Sequence, residues 1–309
     1  MNNKRDEVTN EGGLAGIDKR SYLRSTVIVV FGSALVLYVI LILLFSTQQE
    51  RLMYPGSAGL MTVSLKDGKV QDLMAQAGVK VWQDAEGRYQ GFKKESPDAQ
   101  ANWIYFYGNG DSALGGSFWN SVLEEAYPTR KWNFYVMEYP GYGFRQGRPS
   151  QGSIKAATQQ ALASLPNHEL PLYLVGQSLG SGVVVQSLVG SKIQPTGLLL
   201  INPFTSMTDA ANVFLRHALG WFSGAIPLSI ILNDTWNSEV IIPTFKGRTG
   251  LAASQRDTVT PVWMAQQLAE KTPEPKRLII QDAYNHGIAW EELEGRTELW
   301  NFLWPKNSP

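Results

Sequence analysis

The pentapeptide Gly176-Gln177-Ser178-Leu179-Gly180 follows directly on the apolar run Leu172-Tyr173-Leu174-Val175 and precedes a helical run containing Gly182, Val183 and Val184. A strand, a sharp turn and a helix in that order can hold a serine hydroxyl above the end of a sheet, with flanking glycines letting the backbone bend tightly. The helix start behind it offers backbone N–H groups to a developing negative charge. A glycine-rich turn at such a place also suits a phosphate. However, no Gly-x-Gly-x-x-Gly lies near the first strand with an acidic residue ending the next. The chemistry favoured is nucleophilic attack by Ser178.

A serine hydroxyl needs a base to take its proton, and the chain has 3 histidines. His168 precedes the strand that leads to Ser178, and His217 lies in a long apolar insertion. His286 follows the last strand-like run, Arg277 to Ile280, in the loop Asp282-Ala283-Tyr284-Asn285-His286-Gly287, where it can reach across the sheet edge. A carboxylate must then orient the imidazole. The acids between Ser178 and His286 are Asp209, Asp234, Glu239, Asp257, Glu270, Glu274 and Asp282. Asp257 is the expected partner, because it sits where the run Leu251 to Arg256 opens into a loop, and Asp234 is the runner-up. Two N–H donors for a tetrahedral intermediate are expected from the backbones of Leu179 and Asn109, the latter in the loop Gly108-Asn109-Gly110-Asp111.

These residues need a scaffold that brings distant loops to one rim. Val79 to Trp82 and Tyr89 to Phe92 flank Glu86-Gly87 and read as a hairpin. Short apolar runs follow at Trp103 to Tyr107, Trp132 to Met137, Leu170 to Val175, Gly197 to Ile201, Gly250 to Ala253 and Arg277 to Ile280. Helical stretches alternate with them: Gly116 to Ala126, Ser153 to Leu165, Leu179 to Leu188, Val262 to Glu270 and Glu291 to Leu303. Alternation of this kind predicts an α/β fold, a mostly parallel central sheet with helices on both faces and ligands at the carboxyl ends of the strands. The stretch from about 207 to 241 interrupts the alternation and reads as an inserted cap; a second membrane span is the competing view, opposed by Arg216, His217 and Pro227. Phe214, Leu215, Trp221, Phe222, Ile226, Leu228 and Ile230 within it suit a lipidic or acyl substrate, or a cover for the core.

Residues 26–45, TVIVVFGSALVLYVILILLF, contain no charge and no proline and are long enough to cross a bilayer as a helix. A cleaved signal peptide is the rival reading, but no small-residue cleavage site follows. Arg5, Lys19, Arg20 and Arg24 precede the run and only Arg51 follows closely. Residues 1–25 are therefore expected in the cytoplasm and residues 46–309 outside it, in a periplasmic or extracellular space. Lys and Arg balance Asp and Glu at 27 each, which disfavours a nucleic-acid partner. With 0 Cys, disulfides, thiolate metal sites and cysteine nucleophiles are excluded. No metal or organic cofactor is expected.

Taken together the motifs resemble the α/β-hydrolase fold serine hydrolases, and within them the membrane-anchored group of lysophospholipid lipases and protein depalmitoylases. The matching pieces are the apolar anchor with Arg51-Leu52-Met53-Tyr54-Pro55, the Asp84 to Phe92 hairpin, Tyr107-Gly108-Asn109-Gly110, Glu138-Tyr139-Pro140-Gly141-Tyr142-Gly143, Gly147-Arg148-Pro149-Ser150, the Ser178 turn, Asp257 with Pro261, and His286. The chain departs from that pattern at Tyr107, Glu138, Ser254 and Asn285, where the group has His, Asp, Gly and Gly. The resemblance implies hydrolysis of carboxylic esters or thioesters through an acyl-enzyme. A peptidase or amidase on the same scaffold, and a non-catalytic membrane-anchored scaffold, are the alternatives.

Overall fold

A computed structural model of the chain describes residues 19–59, 64–282 and 285–306. Two units are distinguished, Met1–Thr47 and Gln48–Pro309. The expected N-terminal tail, with Arg5, lies largely outside the described residues. Helix α1 (Lys19–Met53) extends beyond the apolar run on both sides, and the apolar side chains along residues 27–44 are mostly exposed, Ile28 and Phe31 each at 71%. Among the described residues it is the one helix long and apolar enough to cross a membrane.

The second unit is built on eight strands: β1 (Lys80–Gln83), β2 (Tyr89–Lys94), β3 (Asn102–Phe106), β4 (Asn133–Met137), β5 (Leu172–Gln177), β6 (Gly197–Ile201), β7 (Arg248–Ser254) and β8 (Lys276–Gln281). They form one sheet in the order β1-β2-β4-β3-β5-β6-β7-β8. The pairs from β4 through β3 to β8 are parallel, while the β1–β2 hairpin joins β4 antiparallel, Phe92 opposite Val136. Every residue of β3, β4 and β6 is buried. Strands can be buried throughout only when both faces of the sheet are covered.

The covering helices are α2 (Gly68–Gln76), α3 (Ala113–Gly116), α4 (Trp119–Ala126), α5 (Gln151–Ala163), α6 (Leu179–Ser187), α7 (Met207–Leu219), α8 (Leu228–Ile231), α9 (Ser238–Ile241), α10 (Val262–Lys271) and α11 (Arg296–Leu303). Three of these differ from the sequence expectation. The helix expected from Gly116 begins instead at Trp119 as α4, after a short α3 that ends at Gly116, and Trp119 stacks on Tyr105 of β3 with ring centroids 4.9 Å apart. The last helix starts at Arg296, not Glu291, because Gly295 is left-handed at φ 77°, a conformation that cannot continue a right-handed helix. Helix α2 lies in a stretch with no assigned element and is capped by Asp67, whose carboxylate accepts the N–H of Lys69.

An aromatic cluster fixes α11 to the sheet. Trp103 of β3 stacks on Tyr173 of β5 at 4.5 Å, Trp300 and Trp304 close on it, and the Arg130 guanidinium sits 4.2 Å over Trp304. The Tyr127 hydroxyl donates to Trp300 O at 2.7 Å, so the ring cluster carries its own polar tie. This mass of apolar surface lies beneath the strands and leaves their carboxyl ends to loops.

Between β6 and β7 the chain forms α7, a 3-10 turn (Gly220–Ala225), α8 and α9. The longest of these helices has 13 residues, too short to span a bilayer. The apolar residues expected to suit an acyl substrate or to cover the core differ in burial. Leu215 and Leu228 are buried and Ile226 is half-buried, whereas Phe214, Trp221, Phe222 and Ile230 are exposed.

Candidate active site

Strand β5 delivers Ser178 at its carboxyl end, and α6 begins on the next residue. Ser178 sits at φ 50°, ψ −117°, a strained conformation for a residue with a side chain. The flanking glycines serve close packing more than bending, since neither has a positive φ. A Cβ on Gly176 would lie 2.3 Å from Gly180 O, and one on Gly180 would lie 1.9 Å from Phe106 O in β3. Any larger residue would push the turn off the neighbouring strand.

His286 comes from the loop after β8 and Asp257 from the loop after β7. Their side chains meet Ser178 in an unbroken chain: Ser178 Oγ to His286 Nε2 is 3.1 Å, and His286 Nδ1 to Asp257 Oδ2 is 2.7 Å. The Asp257 side chain is fully buried and that of His286 is 26% exposed, so the chain runs from the interior to an open rim. Asp257 Oδ1 accepts the N–H groups of Val259 and Thr260, both at 2.8 Å, and the Thr260 hydroxyl lies 2.9 Å from Oδ2. A carboxylate held at both oxygens has one orientation, which leaves Oδ2 aimed at the imidazole.

The competing residues have other partners or places. His168 and His217 are exposed, the first in the connection before β5 and the second on α7. Asp234 accepts from the Tyr54 hydroxyl at 2.6 Å and from Gln151 N at 2.9 Å. Asp209 is engaged at the start of α7 by Thr205 and Ser206, and Asp282 is exposed beside Arg256. Ala283 and Tyr284 of the histidine loop lie outside the described residues.

Ser178, His286, Leu179 and Asn109 line one cavity of about 400 Å³. Among the described residues, the backbone N–H groups of Leu179 and Asn109 donate no hydrogen bond. The Asn109 side chain is fully committed: Nδ2 donates to Met53 O, Oδ1 accepts from the Tyr142 hydroxyl at 2.6 Å, and its own carbonyl accepts from Gly56 N. Phe204, Met207, Ala210 and Val259 supply an apolar wall to the same cavity.

Several supporting residues were not recognised from sequence. Asn285, which stands where the resembling group has Gly, accepts from Thr258 N and Oγ1 at 2.9 and 3.0 Å and so ties the histidine loop to the Asp257 turn. Glu138 is wholly buried and accepts from the hydroxyls of Tyr107 and Tyr89 and from Ala113 N; burial pushes its carboxyl up, against the lowering pull of those donors. It therefore braces the loop that carries Asn109. Tyr54 donates to Asp234 and accepts from Trp236 Nε1 at 2.8 Å; burial first, then the Asp234 carboxylate, hold its hydroxyl far above the usual phenol range. The spacing of Asp257 and Thr260 is a recognisable local turn pattern. No such signal links Tyr54 to Trp236, which are 182 residues apart.

No protein-family model matches the chain. It is similar to protein bem46 of Schizosaccharomyces pombe, 26% identical over 178 residues that make up 56% of each chain. It is also similar to the α/β-hydrolase domain-containing protein WAV2 of Arabidopsis thaliana, 28% identical over 46% of this chain and 49% of that one. The chain thus spans about half the length of these curated relatives. Among solved structures, an esterase of Pyrococcus furiosus superposes with a TM-score of 0.53 at 15% identity, covering 69% of this chain and 85% of that one. Strand order, parallel register and the strand–turn–helix around Ser178 agree with these likenesses: the chain has the α/β-hydrolase fold.

Proposed function

We propose that the protein is a membrane-anchored serine hydrolase that cleaves carboxylic esters or thioesters. The observation that carries this reading is the hydrogen-bonded chain from Ser178 Oγ through His286 to buried Asp257, opening into a cavity with two free N–H donors. Ser178 Oγ attacks the acyl carbon as His286 Nε2 takes its proton, and Asp257 stabilises the resulting imidazolium. Leu179 and Asn109 N–H groups hold the oxyanion. His286 then gives the proton to the leaving alcohol or thiol, and a water activated by the same imidazole releases the acid and restores Ser178. The apolar wall of Phe204, Met207 and Val259 suits an acyl chain.

The anchor is α1. Apolar side chains exposed along residues 27–44 are stable only against an apolar solvent, and the run matches the hydrocarbon thickness of a bilayer. The basic residues before it favour a cytoplasmic N-terminus and a hydrolase domain on the opposite side. Protease should reach the domain while the membrane bounding the cytoplasm is intact; protection until that membrane is disrupted would reverse the orientation.

The chemical test is labelling by a fluorophosphonate, followed by turnover on a panel of esters, thioesters and amides. The wild-type chain should label and Ser178→Ala should not. Equal labelling of both, or of neither, would leave a scaffold without this chemistry, and amide turnover above ester turnover would make the enzyme a peptidase or amidase.

A further inference from the structure

Cleavage at Ser178 leaves unexplained a surface on the segment between β6 and β7. Trp221 is 82% exposed and stacks face to face on Phe222, 60% exposed, with ring centroids 3.8 Å apart. Phe214 on α7 and Ile230 on α8 are exposed at 67% and 82%, and α7 packs against both the 3-10 turn and α8. These exposed side chains therefore lie on elements packed on one another, in which Leu215 of α7 and Leu228 of α8 are buried. An apolar face of this kind, without a function, is a liability in water.

Two observations identify what covers it. From Ala210 to Asn233 the chain has no Asp or Glu, and its two titratable side chains are Arg216 and His217, both exposed. A surface of tryptophan, phenylalanine and isoleucine with one arginine, Arg216, and no acid within the same segment suits the boundary between acyl chains and anionic headgroups. Second, this segment is stitched to residue 49: Gln49 Nε2 donates to Ile231 O at 2.6 Å and Gln49 Oε1 accepts from Asn233 N at 3.0 Å. Gln49 is four residues beyond Phe45, the end of the apolar run, and covalent geometry alone keeps four residues within about 14 Å.

We infer that Phe214, Trp221, Phe222 and Ile230 form a docking surface for the lipid bilayer, so that the domain lies on the membrane rather than swinging free of it. The inference rests on the anchoring of α1 proposed above. Helix α7 carries Phe214 on this surface and lines the cavity with Met207 and Ala210 at its start. The same helix thus connects lipid to the site, and the substrate class this favours is an amphiphilic ester or acyl conjugate that partitions into the bilayer.

The chain has no cysteine, so single cysteines can be placed without background. The full chain is reconstituted in vesicles of phosphatidylcholine and phosphatidylglycerol carrying nitroxide-labelled lipid, with a polarity-sensitive fluorophore at Phe222→Cys, Ile230→Cys, Leu37→Cys or His168→Cys. His168 precedes β5, at the opposite end of that strand from Ser178. Labels at 222 and 230 should be quenched several-fold more than the label at 168. If the label at 37 is quenched while those at 222 and 230 match 168, the anchor stands and the docking surface is overturned. If the label at 37 is not quenched, the anchor fails and the docking with it. Blue-shifted but unquenched labels at 222 and 230 would mean a protein partner or second copy covers the face, which also overturns the inference.

Discussion

The rim of the sheet and the segment after β6 invert the usual distribution of polarity in opposite ways. At the rim, carboxylates and hydroxyls are buried: Asp257 at 5%, Thr260 at 5% and Glu138 at 0% exposure. Each has its hydrogen-bond partners, so burial fixes direction without leaving an orphaned group. In the segment after β6, Trp221 and Ile230 are apolar and exposed. Buried polar groups are tolerated where orientation matters, and exposed apolar groups where a contact is to be made. On the function proposed above, one region serves chemistry on a bound molecule and the other adhesion to a surface.

The largest effect should come from disturbing the rim. Asp257→Asn keeps the shape but lets the imidazole settle in the wrong tautomer, and kcat should fall by about 10³–10⁴-fold with KM little changed. Steady-state kinetics on a short soluble ester checks this; a loss in KM alone would move Asp257 out of the proposed role. Next is Tyr54→Phe, which strips Asp234 of its 2.6 Å donor and Trp236 Nε1 of its acceptor. The buried groups left behind should cost about 1–3 kcal/mol, read from the denaturant midpoint.

Changes on the outer face should act differently. Replacing Trp221, Phe222 and Ile230 together by Ser should move stability by no more than about 0.5 kcal/mol per site, since each is a surface position. Turnover of a long-chain ester in vesicles should drop while that of a soluble ester persists; equal loss on both would erase the distinction between the regions. The smallest effect concerns Glu138, whose carboxyl is pushed up in the folded state by burial. Above its unfolded value the folded state holds more protons than the unfolded chain, so stability falls as pH rises from the ordinary carboxylate range through the raised value. Urea midpoints across that range should slope downward in the wild type and flatten in Glu138→Gln.

Much of this architecture can be read in the linear chain because its signals are local. Gly176 to Gly180 after an apolar run, the alternation of short runs with helical stretches, and the uncharged residues 26–45 each depend on neighbours a few positions apart. The break between α3 and α4 was not legible, because the stacking of Trp119 on Tyr105 beside it is a contact across layers. Nor was the division of the apolar residues after β6, since Leu215 and Phe214 are adjacent in sequence and alike in character, and only packing tells them apart.

The linear chain sets which residue types are available for the chemistry, three histidines and a serine in a glycine turn, and that one segment suits lipid. Tertiary structure decided which acid meets His286, how Asn285 joins two loops, and that Asn109 keeps its N–H free while its side chain is tied to Met53 and Tyr142. The physical reason is range. Backbone preference and hydrophobic period act over one or two turns of chain, whereas hydrogen bonds between loops depend on a sheet register that only the whole folded body sets.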